Sequence, residues 1–254
     1  MLCAILNAML SILTVLVLAM ALAFPTIMIT ITYPFSKKCA LYWSNYITKH
    51  SSRVFFAILK VMRNFEFKGD KVSKNQLPEQ FLIISNHQSL MDIVAYLAFF
   101  NEKEVRFVAK DTLNKVPMVG KMLKSQGHCM IPRRGGAGVA MRSLEKFGKQ
   151  VLQKNQIPVI FPEGTRSKSG KLGQFYSAGF RRLEETVRLP VAVCALDGGW
   201  RLSDVKRIMA NLKKGAYYVK VLKVYDAPLN REEEKKILEE APILIQKQLD
   251  EWRS

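Results

Sequence analysis

Histidine, cysteine and early charge are what this 254-residue chain has least of. Its three histidines, His50, His87 and His128, leave little material for a histidine-rich metal site. The four cysteines, Cys3, Cys39, Cys129 and Cys194, are scattered without CxxC spacing. That excludes a disulfide framework and a structural zinc, and reads as reduced cytosolic thiols. No apolar run after residue 36 approaches the ~20 residues needed to cross a bilayer, so a polytopic transporter is excluded. Internal repeats, low-complexity tracts and long linkers are also missing.

Charge is absent from one stretch and lopsided in the rest. Residues 1–36 contain no Asp, Glu, Lys, Arg or His, and no acid precedes Glu66. The formal net charge is +18; residues 230–254 hold seven acids and five bases, so residues 37–229 carry +20. An apolar fraction of 49% excludes a disordered chain and fills one sizeable core or at most two small ones. The expectation is an apolar membrane anchor over 1–36 followed by a basic globular body.

From Leu2 to Phe24 the chain is mostly Leu, Ile, Val, Met and Ala. Some ~21 helical residues at ~1.5 Å each reach roughly 31 Å, about one hydrocarbon core. Pro25 and Pro34, with β-branched residues between them, predict a break near Pro25. A signal peptide is the rival reading, supported by Ala19-Met20-Ala21 and Ala21-Leu22-Ala23; the missing basic n-region and continued apolar run favour an uncleaved anchor. Whether it spans the bilayer or dips into one leaflet as two short helices stays open. Residues 37–65 mix Lys37, Lys38, Lys49, Arg53, Lys60 and Arg63 with aromatics such as Trp43 and Phe55. This is the pattern of a cationic amphipathic interfacial segment, and the positive-inside rule puts the body on the cytoplasmic face. A solvated surface helix is the plainer alternative.

Residues 66–229 alternate short apolar runs at 81–85, 105–109, 159–161, 191–196 and 217–225 with helical spacing at 92–100, 138–154 and 178–187. The alternation predicts an α/β domain with a mixed, largely parallel sheet flanked by helices. Asn230, followed by Glu232, Glu233 and Glu234, starts a C-terminal helix over 230–254, bent at Pro242.

Chemistry-bearing residues cluster at four places. Ser85-Asn86-His87-Gln88-Ser89-Leu90-Met91-Asp92 begins where a strand ends and runs into a helix, the junction at which α/β folds place their sites. His87 and Asp92 would stand about 140° apart in a regular helix, so contact requires His87 in the lead-in turn, with Ser85 or Asn86 as the helix cap. Asp92 then fixes one imidazole nitrogen and leaves the other as a base. This is a Ser-His-Asp arrangement without its serine, and the natural client of the base is a substrate hydroxyl. A satisfied structural histidine is the competing reading. Phe161-Pro162-Glu163-Gly164-Thr165-Arg166-Ser167 is a glycine-containing loop whose guanidinium and main-chain N–H groups suit a phosphate. Between the two, Gly127–Gly136 carries the adjacent Arg133 and Arg134, an anion clamp or a solvated basic loop. Last, Leu189-Pro190-Val191-Ala192-Val193-Cys194 reads as a buried strand.

In this order the four blocks resemble the glycerolipid acyltransferase family typified by 1-acyl-sn-glycerol-3-phosphate acyltransferase, with its NHxxxxD, GxxFIDR, FPEGTRS and VPVVPV-like segments. Blocks one and three match in every defining position; block two has Met130 for Phe and Pro132 for Asp, and block four has Val193 for its second proline. Phe107-Val108-Ala109-Lys110 and the stretch 116–120 resemble the family between blocks one and two. The resemblance implies a catalytic pair, His87 as general base with Asp92 orienting it. It implies an acceptor site using Asn86, Lys110, Arg133, Glu163, Gly164, Thr165 and Arg166, with Pro190 near the acyl donor. The implied reaction moves a fatty acyl group from acyl-CoA or acyl carrier protein to a lysophospholipid, with no metal and no cofactor. The implied partners are membrane lipids and these two substrates, not nucleic acid. A non-catalytic basic domain holding anionic lipid is the alternative, as is an acyltransferase acting on another lysolipid or on glycerol 3-phosphate.

Overall fold

The computed structural model describes residues 2–254 apart from Gln76, Pro117, Met118, Arg133 and Arg134. Helix α1 (Leu2–Thr32) is a single uninterrupted 31-residue helix, which corrects the break expected at Pro25. Proline removes one backbone donor, but the apolar residues around it have no better partner for their remaining N–H and C=O groups than the helix itself. The chain turns at Ser36, whose hydroxyl accepts the Cys39 N–H at 3.2 Å and caps α2 (Lys37–Tyr46). A π-helical turn over Ile47–Ser51 leads into α3 (Ser52–Arg63). Both helices pack back along α1, and α3 buries Phe56 and Leu59 in the core. One face of α1 stays bare, exposing Leu6, Met9, Leu13, Leu16, Met20 and Phe24.

A left-handed Asn64 ends α3 and turns the chain into β1 (Glu66–Gly69), followed by the single turn α4 (Lys71–Lys74). Then come β2 (Leu82–Ser85), α5 (Met91–Phe99), β3 (Val105–Lys110), α6 (Val119–Gln126), β4 (Cys129–Ile131) and α7 (Gly136–Gln153). The order continues with β5 (Ile157–Ile160), α8 (Ser177–Val187), β6 (Val191–Asp197), α9 (Val205–Asn211), β7 (Ala216–Tyr225) and α10 (Arg231–Arg253). The strands form a seven-stranded sheet in the order β1-β7-β6-β2-β5-β3-β4. Every pairing is parallel except β6 with β7, so the sheet is mixed and largely parallel as expected. Strands β1 and β4 were not anticipated: β1 is short and polar, and β4 is only three residues long.

Alternation along the strands separates two cores. Ile83, Ala192, Cys194 and Leu196 face α3 and α5; Leu82, Ile84, Val191, Val193 and Ala195 face α7, α8 and α10. Both faces of the sheet are thus covered, as parallel pairing requires. Helix α10 starts at Asn230, whose carboxamide oxygen accepts the N–H groups of Glu232 and Glu233 at 3.0 Å, and it runs through Pro242 without interruption. Strand β2 lies between β5 and β6. The loops that leave its carboxyl end and those of its two neighbours therefore meet at one edge of the sheet.

Candidate active site

His87 leaves β2 two residues after Ser85, before α5 begins, and its Nδ1 lies 2.6 Å from Asp92 Oδ2 in the first turn of that helix. The lead-in geometry is as expected, but the cap is not. Ser85 and Asn86 lie too far upstream to cap a helix that starts at Met91; the lead-in turn is instead closed by Asp92 Oδ2, which accepts the N–H of Gln88 at 2.6 Å and of Ser89 at 3.0 Å. Ser89 Oγ accepts the Met91 N–H at 2.9 Å. The other carboxylate oxygen accepts the Tyr217 hydroxyl from β7. Burial first, and the Asp92 charge beside it, raise the Tyr217 phenol well above its ordinary value, so it stays a donor. Asp92 is fully buried with four donors around it, the condition under which a buried carboxylate is tolerated.

The imidazole of His87 stacks on Phe161, with ring centroids 4.1 Å apart and planes 12° from parallel. Its Nε2 makes no hydrogen bond to any described residue. His128, by contrast, is a structural histidine. Its Nδ1 accepts the Phe107 N–H at 2.9 Å, its Nε2 lies 3.1 Å from Gln126 Oε1, and burial pushes it well down towards the neutral form. Burial also pushes the Cys129 thiol up to about 12 and Cys194 higher still. These are poor nucleophiles.

The Phe161–Ser167 loop clamps the main chain of His87 from both sides. Glu163 Oε1 accepts the His87 N–H at 2.7 Å, and the Ser167 N–H donates to the His87 carbonyl at 2.7 Å. Glu163 Oε2 accepts the Gly173 N–H at 2.8 Å, so both oxygens of this buried carboxylate are occupied. Burial raises the Glu163 carboxyl, and the two main-chain donors hold it back. Asn86 is likewise committed: its amide donates to Leu196 O at 2.8 Å and accepts Leu196 N at 2.9 Å, tying β2 to β6. Glu163 and Asn86, expected at the acceptor site, therefore hold the site together from beneath. Gly164, Thr165 and Arg166 are exposed beside it. Gly164 sits at φ +63°, a backbone state that suits glycine, and its N–H is taken by Phe161 O at 3.0 Å.

Lys110 is exposed at the end of β3, in register with Ile131 of β4. Arg133, two residues beyond β4, lies outside the described residues. Pro190 is misassigned to the site. Its carbonyl accepts the Leu82 N–H at the amino end of β2, the opposite edge of the sheet from His87. It is the other end of β6, Leu196 and Asp197, that reaches the site.

A model of the acyltransferase family matches residues 65–196, just over half of the chain. The chain belongs to the acyltransferase family. Its curated relatives include the 1-acyl-sn-glycerol-3-phosphate acyltransferase of Helicobacter pylori, 33% identical over 129 residues that make up 51% of this chain and 53% of the relative. Another, of the same name, is from Cocos nucifera, 32% identical over 128 residues, 49% of this chain and 41% of that one. The chain thus spans about half the length, or less, of these relatives. The crystal structure of the 1-acyl-sn-glycerophosphate acyltransferase PlsC from Thermotoga maritima has the same fold, with a TM-score of 0.70 over 98% of this chain and 97% of that one at 21% identity.

Two supports of the site have no local signal in the sequence: Tyr217, and Gln88 within the first motif. Gln88 Nε2 donates to Leu196 O and to Asp197 Oδ1, each at 3.1 Å, while its Oε1 accepts the Trp200 N–H at 3.3 Å. Asp197 in turn receives Arg253 of α10 in a two-pronged ion pair at 2.6 and 2.8 Å. Neither partner is signalled by spacing, since each lies more than 100 positions from the residue it supports.

Proposed function

We propose that this protein is a membrane-associated acyltransferase that moves a fatty acyl group from acyl-CoA or acyl carrier protein to the free hydroxyl of a lysophospholipid. The names of its relatives favour 1-acyl-sn-glycerol 3-phosphate as acceptor, with phosphatidate as product. The observation that carries the reading is the His87–Asp92 pair, with Nδ1 held, Nε2 unengaged among the described residues, and the exposed Gly164–Arg166 segment alongside.

Nε2 takes the proton from the acceptor hydroxyl as its oxygen attacks the thioester carbonyl, and Asp92 stabilises the imidazolium that forms. The tetrahedral oxyanion then collapses, the C–S bond breaks, and the thiolate leaves with the proton returned by His87. No protein nucleophile, metal or cofactor is required, because the thiolate is a good leaving group. With the Gly164 N–H already bonded, the N–H groups of Thr165 and Arg166 are the oxyanion donors the loop has left. Thr165, Arg166, Lys110 and Arg133 supply hydroxyl and positive charge for the acceptor phosphate. The bare apolar face of α1 and the cationic segment behind it hold the site at the lipid surface, with the body on the cytoplasmic face.

The test is acyl transfer by the purified chain given lysophosphatidate and acyl-CoA or acyl carrier protein, followed by mass spectrometry of the lipid. His87→Ala is expected to lower turnover by roughly 10²–10⁴-fold while vesicle binding persists. Near-normal turnover in a folded His87→Ala protein overturns the base assignment. Failure of every lysophospholipid and donor pair with the wild-type protein returns the reading to a lipid-binding domain.

A further inference from the structure

Helix α9 touches both the membrane helix and the loop that follows Arg166. On one side, the Met209 carbonyl accepts the Asn7 amide and the Ser11 hydroxyl, each at 3.3 Å, and Asn7 Oδ1 accepts from the buried guanidinium of Arg63. These two polar residues of α1 thus face the globular body. On the other side, Arg207 reaches out of the same helix. Its Nη1 donates to the carbonyl oxygens of Lys168 and, at 3.0 Å, of Trp200, while Asp204 steadies its Nε at 3.6 Å. Trp200 lies so close over Gly170, at φ +78°, that a Cβ there would come within 2.9 Å of the indole. Lys168 is one residue past Ser167, whose N–H bonds His87.

We propose that Arg207 is a positioning residue for the acceptor, and that α9 is the strut by which it fixes the 164–170 loop to α1. The inference rests on the reading that Thr165 and Arg166 receive the acceptor phosphate. The loop has a left-handed glycine at each end and, between them, four exposed residues around a half-buried Ser167, so little of its shape comes from its own packing. Ser167 ties its middle to His87, and one guanidinium donor shared by carbonyls of two different loops holds the stretch beyond it. A lysophospholipid phosphate sits at a fixed depth in the headgroup layer, and α1 is the element immersed in that layer. A rigid connection from α1 through α9 to the loop places the phosphate-binding groups at that depth. Loosening it costs acceptor recognition first, because His87 keeps its own bonds to Asp92, Glu163 and Ser167 when the contact at Lys168 is lost.

The experiment compares kcat and both KM values for the full chain on vesicles containing lysophosphatidate, with acyl-CoA as donor, for wild type, Arg207→Met, Arg207→Lys, the pair Asn7→Leu with Ser11→Ala, and Arg166→Ala. Expected is a rise in acceptor KM of roughly 10-fold for Arg207→Met with donor KM unchanged, and substantial rescue by Arg207→Lys, which keeps a charged donor. The Asn7/Ser11 pair is expected to raise acceptor KM for the vesicle-embedded lipid while leaving vesicle binding intact. It carries the comparison alone if Arg207→Met does not fold. An unchanged acceptor KM in both, or equal rises in the two KM values, overturns the proposal. An unchanged acceptor KM in Arg166→Ala overturns the acceptor-loop reading beneath it, whatever the Arg207 variants do.

Discussion

Glu163→Gln separates a residue that touches substrate from one that holds the machinery. In the native chain each carboxylate oxygen accepts one main-chain N–H, from His87 at 2.7 Å and from Gly173 at 2.8 Å, and the side chain is 4% exposed. Glutamine keeps the volume and one acceptor, but turns an NH₂ group towards the other N–H. That leaves a buried donor unpaired, worth about 1–3 kcal/mol, and removes the charge assistance from the remaining bond, bringing the loss to about 2–4 kcal/mol. For a chain of this size the melting temperature should fall by roughly 5–15 °C. Because one of the two donors is the main chain of His87, the proposed base, kcat should fall as well, by about 10²-fold, the order expected for a misplacement near 1 Å. Thermal unfolding in detergent and steady-state kinetics read the two effects separately. A variant that melts like the wild type yet loses acceptor affinity would refute the clamp and return Glu163 to the acceptor site.

Two other substitutions test neighbouring parts of the site and scaffold. Tyr217→Phe removes one of the four donors to Asp92 and leaves no new polar group; kcat should fall about 10-fold at unchanged acceptor KM, and an unaltered rate means that the other three donors suffice. Glu184 in α8 is buried, and its burial, with the Glu234 carboxylate adding to it, pushes its carboxyl up to about 8. The folded state then binds this proton more tightly than the unfolded chain, so the contribution to stability is present below the ordinary carboxylate range and is lost as pH rises to about 8. Glu184→Gln should therefore stabilise the protein progressively from pH 5 to pH 8.5 in thermal melts; parallel curves for the two proteins would contradict that assignment.

Much of this was legible in the residues because periodicity and junctions are local. The five apolar runs each became a strand, since β-branched runs bounded by polar residues have few other ways to be buried. His87 and Asp92 were readable as a pair because five residues across a strand–helix junction leave few geometries. Other features were decided at long range. β1 is only Glu66–Gly69, and its pairing with β7 requires a partner some 150 positions away. The surroundings of Glu163 were also decided at long range: a carboxylate beside Thr165 and Arg166 reads as part of their surface, whereas in the fold it points beneath the loop to the His87 and Gly173 N–H groups. Pro25 was misread because the rule that proline breaks helices assumes water to receive the freed groups, and an apolar surrounding offers none.

The Tyr217–Asp92 contact also bears on how the enzyme is made. The two residues are 125 positions apart, and the His87–Glu163 contact closes over 76. During synthesis His87 and Asp92 emerge well before Glu163 and Tyr217, the residues that hold them in place. Strand β7, which pairs antiparallel with β6, is among the last elements to be added and carries the Tyr217 hydroxyl. Truncation before Tyr217 is therefore expected to leave a chain that keeps α1 and its basic body but lacks the fourth donor to Asp92, and acyl transfer is expected to be lost with it.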